Sequence, residues 1–285
     1  MESQKQFEPT FSFEFFPTKT EEGRKKLNVV REKLSTLKPK YFSVTFGAGG
    51  STQQGTLEAV IDIQQSGFNA APHISCIGTK KETITELLDT YRDHGIKHLV
   101  CLRGDLPSGS GNISGGDFNH ANELVSFIRQ NYADQFFLEV AAYPEFHPQA
   151  PSPTADLDNF KRKVEAGADS ALTQYFFNPD AYFHFVEECE KRDVNIPIVP
   201  GIMPITNYTQ LARFSDMCGA EIPRWIKKRL QAFGDDQDSI RSFGEEVITE
   251  LCQHLLEAGA PGLHFYTLNQ ANATMAIWRN LGLSQ

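Results

Sequence analysis

Short runs of β-branched and aromatic residues alternate with longer amphipathic stretches along almost the whole chain, which limits the folds open to it. In the longer stretches apolar residues recur every three or four positions, as at Leu27, Val30 and Leu34, which is the helical period. Eight repeats of a strand and a helix within about 250 residues predict a (β/α)₈ barrel, a TIM barrel. The predicted strands span residues 11–16, 41–46, 69–76, 98–104, 136–144, 170–177, 196–204 and 262–269.

An open, doubly wound parallel sheet shows the same alternation and is the alternative fold. The first strand is followed by FPTKT rather than by a glycine-rich dinucleotide turn, which favours the barrel. Residues 220–258 carry two helical stretches, so we expect an extra helix before the last strand of a single barrel domain spanning 1–285. Polar residues lie at or just after the ends of many strands, where a barrel gathers them on one face: Glu14, Thr45, His73, Asp105, Tyr143, Gln174 and Asn269.

Composition excludes several classes of partner. With 27 Lys and Arg against 36 Asp and Glu, the net charge of −9 argues against nucleic acid, which needs a basic face. No apolar run reaches the roughly 18 residues of a membrane span, and the polar start MESQKQFEPT is not a signal peptide. The five cysteines are widely spaced without a CxxC pair, which disfavours disulfides and zinc. We expect a cytoplasmic protein with no metal site.

Glu14 is the first candidate for chemistry. Period-two alternation in FSFEFF places Phe11, Phe13 and Phe15 on one face of the strand, and Ser12 and Glu14 on the other. A carboxyl group near a strand end, crowded by aromatic residues, is expected to be partly desolvated, which raises its pKa and suits a general acid at neutral pH. The alternative is a glutamate held in a salt bridge within the strand.

The fourth predicted strand ends in Arg103, Gly104 and Asp105. Arg103 could bind an anion while the Asp105 carboxylate stabilises a developing cation. The alternative is a structural ion pair between the two side chains that closes the strand end. His73 is the histidine best placed to meet a ligand, although a hydrogen-bonded core histidine is equally consistent with the pattern.

The fifth predicted strand leads into AAYPEFHPQA, whose prolines favour an extended loop presenting Tyr143 and His147. Four polar residues follow at helical spacing on the next helix, namely Asp156, Asn159, Arg162 and Lys163. Basic groups one turn apart can hold a phosphate or diphosphate. The residues alone favour a solvated helix with ion pairs between successive turns over this interpretation.

Nine motifs follow one another in colinear order from about residue 11 to residue 281: FSFEFFPTKT, KYFSVTFGAGGS, APHISC, HLVCLRGDLPSG, AAYPEFHPQA, ADLDNFKRKVEAGAD, LTQYFFN, IVPGIMPITN and LHFYTLN. As a set they resemble the methylenetetrahydrofolate reductase family in its short bacterial form. The resemblance implies a barrel that holds FAD at the C-terminal ends of its strands. It also implies that NADH or NADPH supplies a hydride through the flavin to 5,10-methylenetetrahydrofolate, giving 5-methyltetrahydrofolate for methionine synthesis.

The resemblance also assigns expected roles to individual residues. Glu14 matches the general acid, and Asp105 matches a carboxylate that faces both flavin and folate. Positions expected to contact the flavin are Thr45, Phe46, Ala48, His73, Arg103, Gly104, Asp105, Ala121, Tyr143, His147, Ala150, Asp156, Asn159, Arg162 and Lys163. Positions expected to contact the folate or the nicotinamide are Asp105, Gln174, Gln210, Phe214 and Gln270.

Three positions depart from the family pattern. Phe46 and His120 stand where Tyr is common, and Gln270 stands where some members carry an Arg that meets the folate tail. Two other classes of function compete: a flavin-free barrel lyase or aldolase, which would normally need a Schiff-base Lys or metal ligands at strand ends, and a non-catalytic folate-binding protein. We further expect a homo-oligomer that binds small molecules, with no nucleic-acid or membrane partner.

Overall fold

The computed structural model describes residues 1–46, 50–104 and 116–283. The strands are β1 (Thr10–Phe15), β2 (Tyr41–Val44), β3 (Ala70–Ser75), β4 (His98–Leu102), β5 (Phe137–Ala142), β6 (Ser170–Thr173), β7 (Ile198–Val199), β8 (Gly201–Ile202) and β9 (Gly262–Tyr266). The helices are α1 (Glu2–Lys5), α2 (Glu21–Ser35), α3 (Gly50–Gln65), α4 (Lys81–Asp93), α5 (Ala121–Tyr132), α6 (Pro153–Glu165), α7 (Pro179–Glu190), α8 (Tyr208–Cys218), α9 (Arg224–Phe233), α10 (Gln237–Glu257) and α11 (Asn272–Asn280).

The strands form one parallel sheet in the order β7-β6-β5-β4-β3-β2-β1-β9-β8, which confirms the predicted (β/α)₈ barrel. β7 and β8 are two halves of a seventh strand interrupted at Pro200, which has no N–H to donate to a neighbouring strand. The first half pairs with β6 and the second half pairs with β9, so the broken strand joins the two ends of the sheet. The carbonyl of Pro200 still accepts a hydrogen bond from the His264 backbone N–H at 3.0 Å.

The strands are shorter than predicted. The run 170–177 forms a strand only over β6, and the run 196–204 is divided at the proline. Tyr175, Phe176 and Phe177 are buried beyond the end of β6, in the core shared with the helices, so apolar character continues after the strand has ended. The two helical stretches predicted within 220–258 are α9 and α10, and α8 precedes them as a third helix between β8 and β9.

Alternation along the strands divides the buried residues into two sets. Phe13 and Phe15 belong to the large apolar core between strands and helices, whereas Ser12 and Glu14 face the barrel axis. Inside the barrel the apolar cluster is small and consists of Tyr41, Ala71, Val100, Leu172 and Val199, with Leu102 packed against it. The remaining inward positions include buried polar side chains: Ser12, Ser43, His73, Glu139, Ser170 and His264.

Local signals set the helix boundaries. Ser152 caps α6 by accepting a hydrogen bond from the Ala155 N–H at 3.2 Å, and Pro153 occupies the first turn. Gly95 follows the end of α4 with a φ of +74°, a conformation that suits glycine at a helix C-terminus, and His98 lies on the following strand. Within the described ranges, no helix combines the length and the apolar character that crossing a membrane requires.

Candidate active site

Glu14 lies near the end of β1 between two histidines from other strands. Its Oε2 is 3.2 Å from Nε2 of His73 on β3 and 3.5 Å from Nε2 of His264 on β9. The His264 contact is a hydrogen bond, whereas the His73 nitrogen is near enough for an ion pair but is not aligned for a hydrogen bond. The side chains of Glu14, His73 and His264 are 14%, 9% and 0% exposed, so Glu14 is the member of this cluster most accessible to a ligand.

The sequence-based expectation of a raised pKa for Glu14 is wrong. Burial does raise the pKa, but the positive charge of His73 and the hydrogen bond from His264 outweigh it and lower the pKa to about 2. The aromatic residues on which the expectation rested face the helices, so they do not surround the carboxylate. Glu14 is therefore held as a carboxylate beside two imidazoles.

Tyr266 closes the barrel beside this cluster. Its hydroxyl donates a 2.7 Å hydrogen bond to the Thr173 carbonyl, and its residue is paired in register with Glu14. Gly201 is required here, since a Cβ at this position would lie 2.2 Å from the Thr173 oxygen and 2.6 Å from the Tyr266 ring. The Tyr266 ring thus packs directly against the backbone of Gly201 in the interrupted seventh strand.

His264 and Tyr266 were not among the sequence-predicted site residues. Both lie in the GLHFYTLN run, where alternation puts them on the same strand face. The signal that could have found them is the pairing of the first strand with the last, which sets Ser12 against His264 and Glu14 against Tyr266.

Arg103 and Gly104 follow the end of β4. Gly104 has a φ of +87°, and a Cβ there would lie 1.7 Å from Ser75 Oγ, so no larger residue fits this backbone. Arg103 donates from Nη2 to Gln149 Oε1 in the loop after β5, so the loops after two neighbouring strands are joined. Asp105, predicted to act beside them, lies outside the described residues, as does Ala48.

The loop after β5 brings four predicted flavin positions together. The rings of Tyr143 and His147 are in edge contact with centroids 4.6 Å apart. The His147 N–H donates to Asp156 Oδ2 at 2.8 Å, and the Ala150 N–H donates to the His147 carbonyl at 2.9 Å. The α6 carboxylate thus holds the loop in place over the start of its own helix.

α6 also carries the predicted basic pair. Arg162 is exposed and donates to Asn159 Oδ1 at 2.7 Å, whereas the Lys163 ammonium reaches inward and donates to the Ala141 carbonyl of β5. Burial lowers the pKa of Lys163 to about 8, although the charge of Asp156 opposes the shift. Neither cation forms an ion pair with a carboxylate among the residues described, whereas Lys161 on the same helix pairs with Glu165 at 3.7 Å, as the solvated-helix alternative expects.

The other predicted flavin positions border the same end of the barrel. Thr45 and Phe46 directly follow β2, and the Thr45 N–H donates to the Phe15 carbonyl at 2.9 Å. Ala121 is the first residue of α5 and is 9% exposed. We call this end, where Glu14, Thr45, Arg103, Tyr143 and Gln174 lie, the C-terminal mouth.

The predicted folate positions are more dispersed. Gln174 directly follows β6, and its Oε1 accepts a hydrogen bond from the Tyr175 N–H at 3.0 Å. Gln210 is exposed in the first turn of α8, Phe214 packs against the core from the same helix, and Gln270 is exposed after β9. Across the described ranges, the last three make no hydrogen bond or ring contact with the other predicted site residues. The same ranges contain no group of three or more metal-ligating side chains.

Comparisons with known proteins agree with this architecture. Among solved structures, a protein from Clostridium thermocellum described as binding two copies of 5-methyl-5,6,7,8-tetrahydrofolic acid superposes with a TM-score of 0.64. The alignment covers 99% of this chain and 95% of that chain at 16% identity, so it supports the fold alone.

Proteins found by sequence comparison are more similar to this chain in sequence than that solved structure is. The 5,10-methylenetetrahydrofolate reductase of Escherichia coli (strain K12) is 39% identical over 273 residues, covering 95% of this chain and 90% of that protein. Methylenetetrahydrofolate reductase (NADH) 1 of Arabidopsis thaliana is 38% identical over 291 residues, covering 98% of this chain and 49% of that protein. The family model for methylenetetrahydrofolate reductase matches residues 1–282, and the chain belongs to this family.

Proposed function

We propose that this protein reduces 5,10-methylenetetrahydrofolate to 5-methyltetrahydrofolate, with FAD bound at the C-terminal mouth and NADH or NADPH as the hydride source. The observation that supports it most is the position of Glu14, a carboxylate at a strand end within reach of two imidazoles and still 14% exposed. Active sites of (β/α)₈ enzymes lie at this end of the barrel. The name of the Arabidopsis relative specifies NADH, which fits a nicotinamide as the reductant.

The residues around the mouth fit a flavin dinucleotide. Lys163 is a partly buried cation whose hydrogen bond goes to a backbone carbonyl, and Arg103 and Arg162 bind only neutral side-chain or carbonyl oxygens in the part of the chain described. Three cations without an ion-pair partner among the described residues suit a diphosphate, which carries more charge than one phosphate. When bound, FAD would supply transfer of a hydride from the nicotinamide to the folate.

The Glu14 cluster suits the proton that this reduction needs. The five-membered ring of the folate must open before the methylene carbon can accept a hydride, and opening requires protonation of the leaving nitrogen. A carboxylate beside two imidazoles can accept a proton from either ring and pass it on to a substrate. Because Glu14 is the most exposed member of the cluster, we assign to Glu14 the contact with the folate nitrogen and to His73 and His264 the retention of the proton.

The amide of Gln174 suits the pterin. Its Oε1 is engaged by the Tyr175 N–H, and its Nε2 has no partner among residues 1–46, 50–104 and 116–283, which leaves two N–H donors for a ligand. Gln210 and Phe214 lie on α8, and Gln270 follows β9. We assign them to the nicotinamide ring or the folate tail, with Asp105 facing the cation that ring opening creates.

The test begins with purified protein under anaerobic conditions. The protein should carry flavin absorbance, and heat release followed by mass measurement should identify FAD. NADH or NADPH should bleach that absorbance, and methylenetetrahydrofolate should then restore it with formation of 5-methyltetrahydrofolate. A protein that takes up no flavin, releases only FMN, or binds folate without restoring the absorbance would overturn the proposal, the last result indicating a folate-binding protein.

A further inference from the structure

A row of buried polar side chains runs through the inside of the barrel, away from the C-terminal mouth. It starts at Glu14, whose Oε2 is 3.5 Å from His264 Nε2. The other ring nitrogen of His264, Nδ1, lies 2.7 Å from Ser12 Oγ. Ser12 is paired in register with Tyr41 on the neighbouring strand, and both side chains face the inside of the barrel. The first three links of the row therefore lead from β1 through β9 to β2.

The row continues from Tyr41 to β4 and β5. The Tyr41 hydroxyl donates to Glu139 Oε2 at 2.5 Å, and the same oxygen is 2.8 Å from His98 Nε2. Ser170 donates to the other oxygen, Oε1, at 2.7 Å. Burial raises the pKa of Glu139, but the charge and hydrogen bond of His98 outweigh this and lower it to about 2. The far end of the row is thus a buried carboxylate paired with an imidazole.

His98 and Glu139 border a cavity of about 860 Å³. The position of this cavity in the fold follows from seven more of its lining residues, which lie at or just before the first residue of a strand: Thr10, Lys40, Asn69, Lys97, Phe137, Asp169 and Pro197. This N-terminal cavity is therefore at the opposite end of the barrel from the C-terminal mouth. A volume of this size admits many water molecules.

A wholly structural role accounts poorly for this row. The interior of a (β/α)₈ barrel is usually filled by Val, Ile and Leu, and a buried charge pair is often no more stabilising than apolar side chains of similar volume. Here the interior apolar cluster has five members, and polar groups connect one end of the barrel to the other. Proton transfer over this distance needs a series of neighbouring groups that can both accept and donate a proton.

We propose that this row, comprising His98, Glu139, Tyr41, Ser12 and His264, returns a proton to Glu14 from water in the N-terminal cavity. The inference rests on the proposed function, in which the folate gains a hydride at carbon and a proton at nitrogen. One proton must therefore reach Glu14 in every turnover. Flavin and folate would cover the C-terminal mouth during that step, which leaves the opposite end of the barrel as the side open to water.

The transfer balances with one proton entering and one leaving the row. As His98 takes up a proton from water at Nδ1, its Nε2 proton passes to Glu139, which gives a proton to the Tyr41 oxygen as the Tyr41 proton passes to Ser12. Ser12 then protonates Nδ1 of His264, whose Nε2 proton passes to Glu14. The observed donation from Tyr41 to the ionised Glu139 is the arrangement after such a transfer, and rotation of the two hydroxyls together with reorientation of the His98 and His264 rings resets the row.

Tyr41→Phe interrupts the row at its centre while keeping the ring. Flavin content and bleaching by reduced nicotinamide should stay within about twofold of wild type, whereas the folate half-reaction should slow at least about tenfold, as expected when proton delivery is impaired. Tyr91→Phe is the matched control, because Tyr91 on α4 is equally buried but its hydroxyl has no hydrogen-bond partner among the described residues. Ser12→Ala is the second interruption if Tyr41→Phe does not fold.

Chemical rescue separates a relay from a structural role. His98→Ala should slow the folate half-reaction, and imidazole added to solution should restore it by entering the N-terminal cavity, while Tyr41→Phe should not respond to imidazole. Without flavin or folate, the ring ¹⁵N resonances of His264 should shift in Tyr41→Phe, because Ser12, the partner of His264 Nδ1, is the register neighbour of Tyr41, and they should be unchanged in Tyr91→Phe.

The outcomes distinguish this inference from the proposed function. Wild-type protein that lacks the folate half-reaction would contradict the proposed function itself. Wild-type activity together with unaltered folate rates in both Tyr41→Phe and Ser12→Ala would overturn the relay alone, and would mean that protons reach Glu14 past the ligands. Equal slowing of both half-reactions in Tyr41→Phe, without rescue of His98→Ala, would overturn it in favour of a structural role.

Discussion

His264 lies hydrogen-bonded between Glu14 and Ser12, although the two β1 residues are about 250 positions away from it in the chain. The contact exists because β9 pairs in parallel with β1, with Ser12 set against His264 in register. Closure of the barrel therefore creates the environment of Glu14. The same closure decides whether that carboxyl group is protonated or ionised before any ligand binds.

Acid should weaken the fold in part through Glu14. Its pKa is about 2 in the folded protein against 4.5 for the unperturbed group, so its stabilising contribution is complete above about pH 4.5 and is lost as the pH falls toward 2. At pH 3 the loss for one such group is about 2 kcal/mol. Urea unfolding at pH 6 and pH 3 should therefore show a smaller drop for Glu14→Gln than for wild type.

The matched control for acid stability is Glu32→Gln, an exposed position on α2. Its drop between pH 6 and pH 3 should equal that of wild type. If Glu14→Gln also loses as much stability as wild type over this range, the histidines do not hold Glu14 ionised.

Gly104→Ala should destabilise the end of β4 through a steric clash. Gly67 provides the comparison, since its φ of +85° nearly equals the +87° of Gly104, yet a Cβ there would meet nothing within 4 Å. Both substitutions incur the backbone penalty of a positive φ, about 1 kcal/mol. Gly104→Ala should lose about 1–3 kcal/mol more in urea unfolding, because its Cβ overlaps Ser75.

Removing the Ser75 hydroxyl should recover part of that loss. The double variant Gly104→Ala with Ser75→Ala should be more stable than Gly104→Ala alone, since the 1.7 Å contact involves Ser75 Oγ. Equal losses for Gly104→Ala and Gly67→Ala would contradict the close packing of these two strand ends.

Flavin retention should depend on the cations of α6. Replacing Arg162 and Lys163 together with Ala should weaken FAD binding at least about tenfold, because a diphosphate loses two charge-assisted partners. The far-ultraviolet circular dichroism of the barrel should be unchanged. Equilibrium dialysis against FAD gives the dissociation constant.

Lys161→Ala controls for the loss of positive charge on the same helix, since Lys161 lies 3.7 Å from Glu165 in an exposed pair. Its FAD affinity should match wild type. An unchanged affinity in the Arg162 and Lys163 variant would return both residues to the solvated-helix interpretation.

The barrel could be predicted from the sequence because its determinants are local and repeated. Alternating apolar runs set each strand, and glycines such as Gly95 end the helices with a positive φ. The break at Pro200 was missed because the flanking IPIVPGIMP is apolar throughout, so composition shows no interruption. The effect of Pro200 is the loss of one backbone hydrogen bond between strands. Whether that loss interrupts the strand depends on which strands lie beside it.

The environment of Glu14 could be predicted only in part. Alternation along β1 predicted that Ser12 and Glu14 share one face of the strand. In the structure both side chains lie on the same face and point into the barrel. The sign of the pKa shift could not follow from the FSFEFF motif, because the deciding charges come from His73 and His264 on other strands. Pairing between distant strands has no local signature in a single sequence.

The most direct test of the account compares the two half-reactions in Glu14→Gln by anaerobic stopped-flow absorbance. Bleaching by reduced nicotinamide needs no proton from Glu14 and should proceed at near the wild-type rate. Reoxidation by methylenetetrahydrofolate should fall by about 10²–10⁴-fold, since Gln retains the shape and hydrogen bonding of Glu but cannot deliver a proton. Equal slowing of both halves, or an unimpaired folate half-reaction, would contradict the assignment of Glu14 as the proton donor.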